Sequence, residues 1–378
     1  MLEGRFFSFF VYDRINKSFQ FEIVIYGDYK DMFYPDFPKA NNNDTIGICA
    51  PSAGVGHKLE SFDASLDSFR ELGLKIKETE SVRVDGLRPS SGEQRGKEFN
   101  ALVSDPDVKM IISASGGEYC IETLPYIDAD LFKENPKWVV GASDPTNILY
   151  YLTTVLDIST IYGINAGSLD WRPHHIFQSN ALSILQGNIV TQNSFEEYDS
   201  SGTFGAMSDV RLDAPVYWEL YNTKKSCAIS ESAPDLTPSE DELDVTGRII
   251  GGCSDIIFNL VGTPYDGTAL FLDKYAEDGI IWYFDAFVAN PNQLHASLLK
   301  MKYAGFFRNT KAVIFGRIMF PGDFPKEDYI ELISMDLDCP FIFNADIGHV
   351  KPCMTIINGS IAHLKCGNGK GSLSMSLE

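Results

Sequence analysis

The chain has 378 residues, 44% of them hydrophobic and 22% charged, which is ordinary for a globular protein and enough for two or three domains. Its formal net charge of −21 excludes a nucleic-acid backbone as partner, because that needs clustered Lys and Arg. Seven cysteines at irregular spacing make no disulfide framework and no zinc motif, which points to a reducing cytoplasm and to no structural metal.

In chain order, residues 1–40 are expected to stand apart as an N-terminal extension. MLEGRFFSFFVYDR lacks a basic leader and a small-residue cleavage site, so no signal peptide is expected. Phe19–Tyr26 reads as a strand, and Met32 is an alternative start of translation. From Asp44-Thr45-Ile46 onward, apolar runs alternate with helical patterns. Strands are predicted at Ile46–Cys49, Met110–Ser113, Trp138–Gly141 and Thr160–Tyr162, and helices at Ser61–Leu72, Gly92–Ser104 and Thr146–Val155. That alternation predicts a parallel sheet of the Rossmann or flavodoxin type over 41–190, with ligands at the carboxyl ends of its strands. Residues 191–244, with SGTFGAMSD and the acidic run Glu231–Asp244, read as a linker whose loop covers the site. A smaller, β-rich mixed α/β domain is predicted over 245–378. Its strands are expected at Ile280–Phe284, Lys311–Phe315 and Phe341–Asn344, with a helix over Pro291–Lys302.

Val108–Asp128, VKMIISASGGEYCIETLPYID, carries the densest chemical signal. An apolar strand stops at Ser115-Gly116-Gly117, and a short helix opens near Ile121. That shape predicts a nucleophile elbow with Cys120 at its tip, where N–H groups and a helix dipole favour a thiolate. This stretch, NPKWVVGASDPTNILYYLTT (Asn135–Thr154) and GRIIGGCSDIIFNLVGTPYD (Gly247–Asp266) together resemble the LD-carboxypeptidase family of serine peptidases. That family includes the self-immunity peptidases that destroy microcin C. The resemblance runs from about Thr45 to about Gly359.

The resemblance implies a nucleophile, a histidine base from the second domain and a carboxylate that orients it, with no metal or organic cofactor. Carried onto this chain, these are Cys120, His349 in FIFNADIGHVKP and Asp285 in GIIWYFDAFVANP. Two positions depart from the family: Cys120 stands for serine and Asp285 for glutamate. Aspartate is shorter by one methylene, so a reach deficit of roughly 1–1.5 Å is expected. The N–H groups of Gly117 and Ile121 are candidate oxyanion donors. Glu118 is expected to set negative charge beside the thiol, or to bind a substrate amine. In GASDPTNIL, Ser143 or Asp144 is expected to cap the following helix, and Asp144 to order the crevice. Ser143 is also a rival nucleophile, with no base apparent nearby. Gly251-Gly252 reads as a turn, Cys253 as packed, and Trp171-Arg172-Pro173-His174-His175 as a surface turn or ligand wall.

Two functions stand side by side. One is a homodimeric peptidase acting on muropeptide tetrapeptides or microcin-type peptidyl nucleotides. The other is a degenerate relative that binds a peptide or aminoacyl-nucleotide without cleaving it. A bland reading of each residue remains: Cys120 as a small buried apolar group, Asp285 as a turn cap, His349 as a satisfied loop histidine.

Overall fold

The computed structural model describes residues 8–13 and 18–23 as backbone, and residues 31–203, 209–222, 236–288 and 290–378 in full. Strands β1 (Ser8–Asp13) and β2 (Ser18–Ile23) pair as an antiparallel hairpin. The end of the strand expected over Phe19–Tyr26 lies outside the described residues, as does part of the acidic run that begins at Glu231.

The first sheet holds β3 (Thr45–Cys49), β4 (Lys75–Glu78), β5 (Val108–Ser113), β6 (Trp138–Gly141) and β7 (Thr160–Tyr162), all parallel. The residues of β3, β6 and β7 are buried throughout, as a sheet covered on both faces requires. Helices α1 (Leu59–Glu71), α2 (Gly92–Ser104), α3 (Ala129–Glu134), α4 (Thr146–Leu156) and α5 (Ile176–Leu185) connect or follow these strands. Ser91 caps α2 by accepting from the Gln94 N–H, which sets its start where the sequence placed it. All eleven residues of α4 are buried. Its polar members, Thr146, Asn147, Thr153 and Thr154, are hydrogen-bonded inside, and α4 lies between the two sheets: Tyr150 meets Thr268, and Thr146 meets the Cys253 N–H.

Residues 191–244 hold β8 (Gln192–Asn193), β9 (Glu197–Tyr198), β10 (Ala214–Pro215) and β11 (Glu219–Tyr221), and they run into β12 (Leu243–Cys253). The second sheet continues with β13 (Ile280–Asp285), β14 (Thr310–Gly316) and β15 (Phe341–Ala345). After β16 (Ile356–Asn358) come β17 (Ile361–Gly367) and β18 (Lys370–Ser376). Its order is β11-β15-β14-β13-β12-β17-β18-β8, with β12 to β15 parallel and the flanks antiparallel. Helices α6 (Ser254–Leu260), α7 (Thr268–Lys274), α8 (Pro291–Tyr303) and α9 (Lys326–Asp336) accompany it. The mixed α/β architecture, a parallel sheet beside a mixed one, is the predicted class.

Three expectations change. The stretch 191–244 is more than a linker, because β8 and β11 form both edges of the second sheet. Residues 1–40 do not stand apart throughout: Met32 is buried, Phe33 bridges to Ile158, and Phe37 stacks on Trp138 at 4.7 Å. Gly251-Gly252 is no turn but the end of β12, where a Cβ on Gly251 would come within 1.9 Å of the Tyr283 carbonyl oxygen. The two sheets also interlace. Strand β16, from beyond residue 350, pairs antiparallel with β7 and closes the first sheet.

Candidate active site

The predicted residues collect at the carboxyl ends of parallel strands, where open α/β sheets bind ligands. Asp285 ends β13, and His349 lies in the loop after β15. Their side chains meet: His349 Nδ1 lies 2.9 Å from Asp285 Oδ1 and 2.8 Å from Oδ2, and the His349 N–H donates to Oδ1 at 3.2 Å. An ionised carboxylate only accepts, so Nδ1 carries the proton and Nε2 is the basic nitrogen. The expected deficit in reach does not arise, because the loop folds down onto the carboxylate. Gly348 makes this possible: its φ is +101, and a Cβ there would lie 2.0 Å from Asp285 Oδ1. The Phe287 ring covers the imidazole at 4.3 Å.

Tyr162 ends β7, and the sequence marks it only as part of a strand. Its hydroxyl donates to Asp285 Oδ2 and accepts from the Ser143 N–H at 3.2 Å. A polar aromatic ending a parallel strand was the available signal. Burial works to raise the pKa of Asp285, but the imidazole, Tyr162 and Lys351 outweigh it and hold the carboxyl below its usual range.

Pairing with an aspartate is not distinctive by itself. His57 meets Asp85 between exposed side chains, His295 meets Asp336 between α8 and α9, and His363 meets Asp244 across β17 and β12. The strand ends single out His349.

Cys120 is fully buried. It opens a three-residue 3-10 turn (Cys120–Glu122), too short to supply the helix dipole expected there. Its N–H donates to Asp144 Oδ2 at 2.8 Å. Burial, then the Asp144 carboxylate, push the thiol well above its usual pKa. The groups acting on this thiol are Asp144, Arg95 and Cys49; those acting on Asp285 are His349, Tyr162 and Lys351. Buried Arg95 steadies the turn through the carbonyls of Pro51 and Tyr119 and the carboxylate of Glu122.

Asp144 does not cap α4, whose N-cap is Pro145 without a side-chain bond. It holds three groups instead: the Cys120 N–H, the Ser52 hydroxyl and the Asn147 amide. Asp144, not Glu118, is therefore the negative charge beside the thiol; Glu118 is exposed. Gly117 (φ +149) lies against Ser52, and Ile121 is 40% exposed. Ser143 has the backbone expected of an elbow residue, with φ +67 between β6 and α4, and is one tyrosine away from the Asp285–His349 pair. The Trp171–His175 segment stacks on itself at 5.3 Å, and His175 caps α5. Cys253 is packed.

Two domain signatures match this chain: the LD-carboxypeptidase N-terminal domain over residues 46–163 and the C-terminal domain over residues 246–364. A putative carboxypeptidase of Treponema pallidum is 31% identical over 331 residues, covering 85% of this chain and 89% of the relative. The chain belongs to the LD-carboxypeptidase family. The Escherichia coli microcin C7 self-immunity protein MccF is a further relative, 24% identical over 83% of this chain and 88% of its own length. A structure of MccF as an inactive mutant without ligand shares the family fold. Its TM-score is 0.72 at 19% identity, over 92% of this chain and 99% of that one. A muramoyltetrapeptide carboxypeptidase from Oxalobacter formigenes matches with a TM-score of 0.65 at 18% identity, over 88% of this chain and 99% of that one.

Proposed function

We propose that this family member is a cytoplasmic, homodimeric amide hydrolase, in which Cys120 attacks, His349 moves the proton and Asp285 orients His349. The observation that carries this reading is the Asp285–His349 pair, held from three sides at the carboxyl edge of both sheets. The substrate class follows from relatives. MccF has been captured with aspartyl sulfamoyl adenosine and glutamyl sulfamoyl guanosine, and a Bacillus subtilis relative is a probable murein peptide carboxypeptidase. A muropeptide tetrapeptide or a peptidyl nucleotide is the substrate proposed here.

The thiol is neutral at rest, so His349 Nε2 must take its proton as the sulfur attacks the carbonyl carbon. The attack requires the buried sulfur to become accessible to the substrate carbonyl. The Gly117 and Ile121 N–H groups receive the oxyanion. The C–N bond then breaks, the amine departs with the proton from the imidazolium, and a thioester remains. Water, deprotonated by His349, cleaves the thioester and restores the thiol.

Burial of Cys120 beside Asp144 favours a second reading, a relative that binds the same ligand without cleaving it. Incubation with a muropeptide tetrapeptide and assay of released D-alanine separates the two. Hydrolysis by wild type, with a loss of 10³-fold or more in Cys120→Ala and His349→Ala, supports the enzyme. Binding of the tetrapeptide with no release would establish the binding protein.

A further inference from the structure

Lys58 closes the 3-10 turn Gly56–Lys58 between β3 and α1. Its Nζ lies 3.3 Å from the Ser115 hydroxyl, one residue before Gly116-Gly117. From there a relay of contacts leads toward the imidazole. Gly116 packs on the Ser143 side chain, the Ser143 N–H meets Tyr162, and Tyr162 meets Asp285 and thereby His349. Lys58 thus stands beside the glycine turn that leads to Cys120.

Several lysines bond carboxylates, as Lys77, Lys97, Lys274 and Lys326 do, and others, such as Lys137, Lys300, Lys311 and Lys351, bond main-chain carbonyls. The Lys58 ammonium meets a hydroxyl instead. Among the described residues no carboxylate lies within ion-pair distance of Lys58 Nζ, although the half-buried Asp170 acts on it from farther away. An ammonium has three donors, and partial burial without acceptors is costly. Ser115 takes one of them. Burial also lowers the lysine's pKa, as expected of a cation lacking a counter-ion.

We propose that Lys58 is the anion anchor of the crevice, receiving the charged group of the ligand on the leaving-group side: the terminal carboxylate of a peptide or the phosphoryl group of a nucleotide. The class of ligand rests on the function proposed above; the anchor itself does not depend on cleavage. An anchor of this kind would restrict the site to ligands with a free anionic end and reject internal peptide bonds.

Calorimetric binding to the full-length chain carrying His349→Gln, which suppresses turnover, tests it. The probes are a muropeptide tetrapeptide, the same peptide with a C-terminal carboxamide, and adenosine monophosphate. The acid should bind about 10- to 100-fold more tightly than the amide, the range of one charge-assisted hydrogen bond. Adding Lys58→Met should bring that ratio close to one, and Lys58→Arg should keep most of it. Loss of nucleotide affinity alone in Lys58→Met assigns the anion as phosphoryl and also supports the anchor. An unchanged acid-to-amide ratio together with unchanged nucleotide affinity overturns it while leaving the hydrolase reading intact. Binding that depends on Lys58, with no D-alanine released by the wild type, sinks the hydrolase reading alone. Failure of all three probes to bind rejects both.

Discussion

Asp285 shows how one residue adjusts to a shorter side chain. Its carboxylate accepts from Nδ1 and the N–H of His349 and from Tyr162. Because its folded pKa is depressed below the unfolded value near pH 4, its ionised form adds stability that is present above about pH 4. That stability is lost as pH falls through the folded value. Asp285→Asn should therefore flatten the acid limb of a urea-midpoint-against-pH curve; an unchanged acid limb would contradict the assignment. Asp144 acts in the opposite sense on its neighbour, raising the pKa of the Cys120 thiol. Asp144→Asn keeps an acceptor for the Cys120 N–H and removes the charge, so the Cys120 titration should move to lower pH. NMR of the isotope-labelled Cys120 β-carbon would register the shift.

Among elements, the loop after β15 decides whether His349 and Asp285 meet. Gly348→Ala places a methyl on the Asp285 carboxylate and puts alanine at φ +101. The strain should cost about 1–3 kcal/mol and separate Asp285 from His349. A thermal melt and, for an active enzyme, a fall in kcat larger than the change in KM would report it. The elements legible in advance were those with a strong local signal. Trp138–Gly141 and Thr160–Tyr162 have the bounds expected of them, because short runs rich in β-branched and aromatic residues suit buried strands. α8 starts at Pro291, where Asn290 and Gln293 form a capping box. The two-residue strand β8 and the three-residue β11 carry no readable periodicity, and Gly251-Gly252 looks like a turn until Tyr283 is beside it.

Across the whole molecule, the two sheets are not independent. β16 joins the first sheet from the far end of the chain, the Ser159 hydroxyl bonds the Asn358 carbonyl, and Lys274 pairs with Asp157 at 2.9 Å. The full chain should unfold in one cooperative transition by calorimetry, and a fragment spanning 31–190, with the β7 edge open, should show none of its own. Two resolved transitions would count against this interlacing.

By itself the sequence determined the mixed α/β class and most strand and helix positions, which rest on periodicity, and the family, which rests on several short motifs contiguous in the chain. His349 and Asp285 came forward as what that resemblance implies. Only the tertiary structure decided that Tyr162 holds Asp285 across 123 residues of sequence, that Asp144 rather than Glu118 lies beside Cys120, and that this thiol is buried. Burial and the charges that act across it depend on which distant strand ends are brought together, and no local pattern of residues encodes that.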